Sequence, residues 1–178
     1  MLNIVSNQKP LKDFIERIII RNKDQSAPVY SVTKSGLVPQ QERFGKQISS
    51  SNVSKYLCVP PNHFTYNPMT TNGVDIAVCF NNSNHTVCVS SQCIVFKSKE
   101  ESINFYLEAF FSSSYFFHQA NQNICPRVIL NLSWEDFETI MLPTNNLEKK
   151  NNLCLFLRKK EKILNTKIQK IKQLLKFF

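Results

Sequence analysis

The sequence predicts a mixed α/β globular domain followed by a long C-terminal helix, and three observations support this fold class. Short runs of β-branched and aromatic residues recur through residues 1–145, as is typical of strands. Segments with apolar residues at helical spacing lie between them, so strands and helices are mixed. After Asn146, no proline or glycine interrupts the chain. We therefore divide it into a domain, residues 1–145, and a helix, residues 146–178.

Local patterns predict the elements within the domain. In chain order they are an amphipathic helix opened by Pro10 with Leu11, Phe14, Ile15, Ile18 and Ile19 on one face, strands at 29–33, 56–59, 73–80 and 86–96, a helical stripe through Ile103, Leu107, Phe110 and Phe111, and an extended segment at 140–143. The Asn-rich residues 81–84 predict a hairpin between the strands at 73–80 and 86–96. Ser98 with Glu101, and Ser133 with Asp136, predict helix caps, and Asn145 or Asn146 is suited to cap the last helix.

Charge is distributed unevenly. The net charge is +9, but the residues from Glu148 onward hold ten Lys or Arg and two Glu, so this segment carries +8 and the rest +1. The helix is therefore the basic element, and any polyanion-binding surface on the domain must be a local patch.

Residues 29–69 form the most informative stretch. A polar tract between two predicted strands carries Lys34, Arg43, Lys46 and Lys55, with His63 as a potential fifth cation, against the single acid Glu42. It is also rich in amides and hydroxyls, the groups that read base edges. Long loops between strands usually carry function, so we expect this stretch to hold and inspect a polyanion.

Several catalytic classes lack their residues. Only three glycines exist, Gly36, Gly45 and Gly73, and none are spaced as a phosphate-binding loop requires. Asp75 is the only acid between Glu42 and Glu100. The other acidic group, Glu135, Asp136 and Glu138, is better explained as a solvated helix face. The sequence thus predicts no hydrolytic or nucleotide-binding centre, and no enzyme.

The six cysteines form no CxxC pair. His85 with Cys79, Cys88 and Cys93 is the best metal candidate, but its spacing is unlike the closely spaced ligand pairs of zinc sites, so we expect no metal. Pairing of Cys58 or Cys93 with His63 or His118 as a nucleophile has no support from spacing. With no signal peptide and no membrane-length apolar run, we expect reduced thiols and a cytoplasmic protein.

Four segments together resemble the target-recognition domain of type I restriction-modification specificity subunits, the HsdS family. They are VYSVTKSGLVPQQERFGKQISSSNVSKY, FTYNPM, VSSQCIVF and ILNLSWEDFETIMLP, which follow in the family's order within about residues 10–145. The last helix resembles the family's conserved spacer helix. Two departures are visible: Asn62-His63 stands where the family usually has Gly-Asp, and PTNNLEKK at Pro143–Lys150 replaces its usual approach to the helix.

The resemblance implies a function. A full family member resembles two such units in tandem, so this chain corresponds to a half subunit that reads one half of a bipartite double-stranded DNA site. It implies docking to methyltransferase subunits, with a restriction subunit as a further partner. S-adenosylmethionine then belongs to the methyltransferase, and this chain has no cofactor of its own. A half subunit should homodimerise through residues 146–178 and read an interrupted palindrome.

Two sets of residues are predicted to perform these tasks. The DNA-binding candidates are Lys34, Gln40, Gln41, Arg43, Lys46, Asn52, Lys55, Tyr66, Asn67, Thr70, Thr71 and Gln92, with Tyr56 as a further flat surface. The helix-pairing candidates are Leu157, Leu164, Ile168, Ile171, Leu175 and Phe178, which follow coiled-coil spacing with Glu161 as one polar interruption. A solvated polar loop, and a purely structural turn at Tyr66-Asn67-Pro68, are the plain alternatives for the first set; a helix folded onto its own domain is the alternative for the second.

Two other functions stay open from the residues. The chain is alternatively a protein-interaction adaptor that has lost DNA binding and occupies a methyltransferase or specificity partner through its helix. A nuclease or transferase is the third hypothesis, against which the missing carboxylate pairs and glycines argue. Steep salt dependence of duplex binding distinguishes a DNA reader from an adaptor.

Overall fold

The structure is a computed structural model that describes residues 7–44, 52–70, 76–123 and 130–174. Its strands are β1 (Gln8–Pro10), β2 (Ile15–Ile18), β3 (Tyr30–Thr33), β4 (Gly36–Pro39), β5 (Leu57–Val59), β6 (Phe64–Tyr66), β7 (Met69–Thr70), β8 (Val78–Phe80), β9 (Val87–Val89), β10 (Ile94–Ser98), β11 (Leu130–Asn131) and β12 (Met141–Pro143). Its helices are α1 (Gln40–Phe44), α2 (Asn104–Phe111), α3 (Ser114–Asn123), α4 (Trp134–Phe137) and α5 (Leu147–Leu174), with 3-10 turns at Leu11–Asp13 and Glu101–Ile103. The predicted fold class, mixed α/β with a long C-terminal helix, is confirmed.

A four-stranded antiparallel sheet in the order β2-β10-β6-β8 lies at the centre. Successive side chains of a strand point to opposite faces, so each of its strands serves two layers. Phe64, Tyr66 and Phe96 enter the larger core on one face, whereas Val95 enters a smaller core on the other. The sheet therefore joins two hydrophobic cores.

The larger core is dominated by aromatic rings from the sheet and from α2, α3 and α4. The ring of Phe96 lies 5.3 Å from Phe64 and 5.3 Å from Phe137, and Phe111 and Phe116 are also 5.3 Å apart, all measured between centroids. Offset and edge-on pairs at such distances add to the free energy gained by burial. This core gives the surrounding loops a rigid support.

The smaller core lies between the central sheet, the β5–β9 pair and the β3–β4 hairpin. Its buried members are Leu57, Val59, Val87, Val89, Cys93 and Val95, with Tyr30, Val32 and Leu37 packed against them. The apolar character of the runs at 29–33 and 56–59 is explained by this core. The stretch predicted to be functional is thus anchored at both of its strands.

The predicted N-terminal helix is wrong. Residues 8–18 instead form β1, a 3-10 turn and β2; β1 pairs with β12 and β2 pairs with β10. Leu11 and Ile15 are buried as expected, but the amide of Leu11 donates to Ile140 O at 2.9 Å. Pairing with the distant strands β12 and β10 satisfies the backbone hydrogen-bonding groups of this segment. It decides the outcome, because the local apolar spacing suits both a helix and a strand.

The predicted hairpin between residues 73–80 and 86–96 is also wrong. β8 pairs with β6, β9 pairs with β5, and β10 pairs with β2 and β6. The asparagine turn does form: Asn81 is buried, its Nδ2 donates to Val59 O at 2.8 Å, and its Oδ1 accepts from the amide of Ser83 at 3.1 Å. The turn connects β8 in the central sheet to β9 beside the smaller core. The two strands it joins do not pair with each other, because each pairs with the strand that completes its own core.

The two predicted caps differ in outcome. Ser133 caps α4 as expected, because its Oγ accepts from the amide of Asp136 at 3.1 Å. Ser98 is no cap: it is buried within β10 and its hydroxyl donates to the Asn104 side chain. The helical stripe from Ile103 to Phe111 is confirmed as the buried face that leads into and forms α2.

α5 follows Asn146, whose φ of 55° turns the chain and whose carbonyl accepts from the amide of Lys150. Its first part packs on α2, where the buried Asn151 accepts from the amide of Tyr106 at 3.0 Å. From Lys159 to Gln173 every side chain is exposed. The helix, about 42 Å long, therefore extends past its own domain, and the alternative of a fully folded-back helix is wrong for this part. Among the described residues, no helix has the length and apolar content of a membrane span.

Candidate nucleic-acid interface

Lys34 lies at the tip of the β3–β4 hairpin. The loop predicted after β3 is shorter than expected, because Gly36–Pro39 pairs back with Tyr30–Thr33. Gly36 has φ 110°, a value that favours glycine, and its carbonyl accepts from Thr33 Oγ1 at 2.7 Å. Lys34 is exposed there, on the rim of a cleft that Glu108 and Arg158 also line.

Gln40 and Gln41 begin α1 at the other end of that hairpin. The amide of Gln40 donates to Val29 O at 3.0 Å, and Gln41 is exposed. Four strand residues separate this end from the tip, about 13 Å, so the structure does not bring Lys34 together with the glutamines. Arg43 belongs to α1, but its side chain, like all of Lys46, lies outside the described residues.

Asn52 and Lys55 lie on the turn that precedes β5, and both are exposed. Asn52 Oδ1 accepts from the amide of Ser54 at 3.0 Å and from its hydroxyl at 2.6 Å, which fixes the turn. The amide of Val53 donates to Gln25 Oε1 at 3.2 Å. The turn is thus held against residues 22–27, from a distant part of the chain.

Sequence reasoning missed two cations beside Lys55. The backbone of Arg21 forms an isolated antiparallel β-bridge with that of Leu57, and Arg21 Nη1 donates to Lys55 O at 3.2 Å. The amide of Asn22 donates to Tyr56 O at 3.0 Å, which places Lys23 beside Lys55 on the neighbouring segment. Arg21 and Lys23 are both exposed. In the sequence, Arg21 and Lys23 are visible as two cations directly after the first apolar run. Only the backbone pairing shows that they lie beside Lys55.

Asn67 and Gln92 lie at the same end of the sheets as Arg21 and Lys55. Asn67 follows β6, and Gln92 is in the turn between β9 and β10, whose first residue Ile94 pairs with Tyr66. β9 ends at Val89 opposite Leu57, so this turn also lies near the start of β5. Asn67 and Gln92 are both exposed.

We call this region the sheet-end surface, and it consists of Arg21, Lys23, Asn52, Lys55, Asn67 and Gln92. It combines three cations with three amides, and exposed Ile19, Ile20 and Met69 lie along the same end. Asp24 is an acid beside it; hydrogen bonds from Ser26 lower the pKa of its carboxyl, so it stays charged. Cations for phosphates beside rigid amides for bases are the groups that duplex recognition requires.

Tyr66 does not belong to any surface, so its prediction as a DNA-contacting ring is wrong. The side chain is fully buried, its ring stacks on Phe137 with centroids 4.5 Å apart, and its hydroxyl donates to Leu132 O and Ser133 O at 3.4 Å. Burial raises the pKa of its phenol. Asn67 Oδ1 accepts from the amide of Met69 at 3.1 Å, so this side chain stabilises the turn although it is also exposed.

Other DNA-binding candidates are described only in part. Thr70 lies in β7, which pairs with β11, but its side chain is outside the described residues, as is all of Thr71. Tyr56 is half-buried, and its carbonyl accepts from Asn22. His63 is half-buried, with Nδ1 2.9 Å from Pro61 O.

α5 carries an apolar stripe that its own domain leaves largely exposed. Leu153, Leu157, Leu164, Ile168 and Ile171 are 57%, 56%, 57%, 39% and 55% exposed. At 3.6 residues per turn they fall within an arc of about 60°. The residues that face α2, Asn151, Cys154 and Arg158, centre about 100° away. Leu175 and Phe178 lie outside the described residues.

The suggested metal group is not assembled in the part of the chain that the structure describes. Among the described residues, no three His, Cys, Asp or Glu side chains converge on a common point. Burial raises the pKa of Cys79 and Cys88 to about 11 and that of Cys93 to about 12, so these thiols are protonated at neutral pH. His85 is exposed and meets the ring of Tyr30 edge-on.

Comparison with known proteins gives a structural match. The chain is similar to the type I restriction-modification system S subunit from M. genitalium, with a TM-score of 0.53 and 9% sequence identity. The match covers 93% of this chain and 42% of that chain, so this chain spans less than half of its length. No protein-family model matches the sequence, and no curated protein does. At this identity the likeness shows the fold alone.

Proposed function

We propose that this chain is the DNA-recognition component of a type I restriction-modification system, built as one recognition domain with one spacer helix. The domain reads one half of a bipartite duplex site. The helix sets the distance to a second domain and docks methyltransferase subunits, and a restriction subunit joins the same assembly. The chain performs no catalysis and binds no cofactor itself.

One observation carries the proposal. A chain with the S-subunit fold extends α5 beyond its domain and leaves the stripe from Leu153 to Ile171 largely exposed. A helix with a regular apolar stripe normally buries it against another helix. A spacer that pairs with a second helix explains both the length of α5 and its unused stripe.

The sheet-end surface supports the recognition role. Arg21, Lys23 and Lys55 are exposed cations around the start of β5, and Asn67 and Gln92 offer amides at the same end. The aromatic core beneath β6 and β10 holds these turns in place. A rigid platform with phosphate-contacting and base-reading groups is what sequence discrimination needs.

The second helix is proposed to be α5 of another copy. Two copies related by a two-fold axis present two identical recognition domains, so the site they read is palindromic and interrupted. Both copies of the helix are strongly basic, with seven Lys or Arg from Arg158 to Lys172 against one acid, Glu161. Homodimerisation must therefore overcome like-charge repulsion, which salt screens.

Opposite salt responses test the proposal. Dimerisation of the full chain, measured by analytical ultracentrifugation, should strengthen as salt rises, whereas duplex binding, measured by fluorescence anisotropy, should weaken steeply. A chain that stays monomeric at all concentrations, or that binds duplex with no salt dependence, contradicts the proposal.

A protein-interaction adaptor is the second candidate, and the exposed stripe of α5 favours it independently of any DNA contact. Such a chain binds a methyltransferase or specificity subunit through α5 and shows no affinity for duplex. Binding to the partner that persists after the cations Arg21, Lys23 and Lys55 are all replaced, together with no duplex binding by the unaltered chain, identifies an adaptor.

A further inference from the structure

Two cysteines from distant parts of the sequence stand directly opposite each other in the sheet. In the antiparallel β5–β9 pair, Cys58 is the register partner of Cys88. Directly opposed residues of an antiparallel pair project to the same side of the sheet. The two thiols therefore share one face, whereas Leu57, Val59, Val87 and Val89 supply the smaller core on the other.

The hydrogen bonds on the two flanks define the kind of pair. The amide of Cys58 donates outward to Ile20 O at 2.7 Å, and the amide of Cys88 donates outward to Pro28 O at 2.8 Å. Neither amide is directed at the opposite strand, so Cys58 and Cys88 form a non-hydrogen-bonded pair. Such pairs bring their Cα atoms to about 4.5 Å, which lies within the range that a disulfide bridges.

The thiol pair is covered by residues 22–27. Cys58 is 8% exposed and Cys88 is fully buried. Cys88 Sγ donates to Ala27 O at 3.2 Å and accepts from Asn22 Nδ2 at 3.4 Å. Asn22 is itself buried and closes its own turn, because its Oδ1 accepts from the amide of Ala27 at 3.1 Å. One asparagine thus holds residues 22–27 over the Cys88 sulfur, directly beside Cys58.

We propose that Cys58 and Cys88 are an oxidation site at which a peroxide forms a cross-strand disulfide within one chain. The thiolate of Cys58, the more exposed of the two, attacks one peroxide oxygen and releases hydroxide, which takes up a proton to become water. The sulfur of Cys88 then attacks the resulting sulfenic acid, a second water leaves, and the S–S bond forms. Two thiols are oxidised and one peroxide is reduced to two waters.

The rate of this reaction is set by the cover. Burial raises the pKa of both thiols, so few thiolates exist while residues 22–27 are closed. Opening of this turn exposes Cys58 to solvent and to the oxidant. Loss of the Asn22 side chain should therefore accelerate the oxidation, although it removes neither thiol.

The bond also alters the cover. Once Cys88 is in a disulfide, its sulfur no longer donates to Ala27 O, while β5 and β9 are joined covalently. Residues 22–27 lie between Arg21 and the start of β3, so oxidation changes the support of one part of the sheet-end surface. The oxidation site itself does not depend on the proposed function.

Peptide mapping of the intact chain tests the site. The reduced protein is treated with hydrogen peroxide, remaining thiols are blocked with N-ethylmaleimide, and the unreduced digest is analysed by mass spectrometry. The expected result is a peptide pair linked through Cys58 and Cys88, reversed by dithiothreitol and formed several-fold faster in Asn22→Ala. Cys93→Ser is the matched control, since Cys93 is also buried but is not opposite another cysteine, and it should leave the linked pair unchanged.

Two results overturn the proposal. One is that Cys58 and Cys88 stay free in the folded chain under peroxide that oxidises the urea-unfolded chain. The other is that Cys58 links to the remaining cysteines as often as to Cys88. Because the mapping uses the unaltered protein, neither result depends on whether a cysteine variant folds.

Discussion

Arg158 of α5 forms an ion pair with Glu108 of α2, and this pair is where the long helix leaves the domain. The guanidinium also lies over the rings of Phe80 and Phe105, with its carbon 5.8 Å and 5.4 Å from their centroids. Every described side chain beyond Arg158 is exposed. Arg158 is therefore the last described residue of α5 that is partly buried against the domain.

Replacing Arg158 with methionine should destabilise the domain by about 1 to 2 kcal/mol at pH 7, because it leaves the Glu108 carboxylate without its counter-charge. Burial raises the pKa of the Glu108 carboxyl, so this carboxyl binds its proton more tightly in the folded state than in the unfolded state. The loss of stability caused by Arg158→Met should therefore become smaller as pH falls through the pKa of Glu108, because the protonated carboxyl needs no counter-charge. Urea unfolding at several pH values measures it. The double variant Glu108→Gln with Arg158→Met is the control and should recover most of the stability; an equal loss in the double variant contradicts the explanation.

The apolar stripe of α5 predicts that charged substitutions disrupt self-association on one face of the helix but not on another. Ile168→Asp with Ile171→Asp should abolish self-association, because it places charges in the helix–helix contact. Asn165→Asp with Gln169→Asp makes the same change of charge on the other face and should leave association intact or strengthen it, since it lowers the positive charge of the helix. Sedimentation equilibrium compares the variants. If the Ile168→Asp and Ile171→Asp variant still forms dimers, the dimer contact does not include this stripe.

Lys55 should contribute one phosphate contact. Lys55→Ala is expected to reduce the slope of log binding constant against log salt by about one unit, because one fewer counterion is released. Lys12→Ala is the matched control: Lys12 is exposed and carries the same charge, but it precedes β2 at the opposite end of the central sheet. Anisotropy titrations over a range of salt concentrations compare the two. Equal effects of both variants indicate general attraction rather than a contact at the sheet-end surface.

Tyr66 should act through stability rather than through DNA. Tyr66→Phe keeps the stack on Phe137 but removes the hydroxyl that donates to Leu132 O and Ser133 O. We expect a loss of about 1 kcal/mol in the free energy of unfolding, with no change in the affinity for duplex at fixed salt. Chemical denaturation and anisotropy measure the two quantities. A weaker affinity for duplex without a stability loss would instead indicate that Tyr66 contacts DNA.

Local patterns in the sequence predict the parts of the fold that depend on neighbouring residues. The stripe through Leu107, Phe110 and Phe111, the Ser133 cap and the uninterrupted last helix all form as predicted. The N-terminal segment differs because the spacing of Leu11, Ile15 and Ile18 suits both a helix and a strand. Its outcome depends on pairing with β10 and β12, which are more than 70 residues away along the chain.

The candidate surface was predicted only in part for the same reason. Lys55, Asn67 and Gln92 come from polar turns after or before strands, where loop residues are commonly exposed. Arg21 is separated from Lys55 by 34 residues, and only the bridge to Leu57 brings the two together. The prediction for Tyr66 is wrong because strand alternation directs this side chain inward beside Phe64, which composition alone does not show.

Selection from a randomised duplex pool tests the central claim most directly. The full chain, alone and together with methyltransferase subunits, is incubated with the pool, and the bound duplexes are sequenced. An interrupted palindrome whose two halves are identical and whose spacing is fixed should be enriched. Enrichment of a single uninterrupted asymmetric site, or no enrichment above the starting pool in either condition, contradicts it.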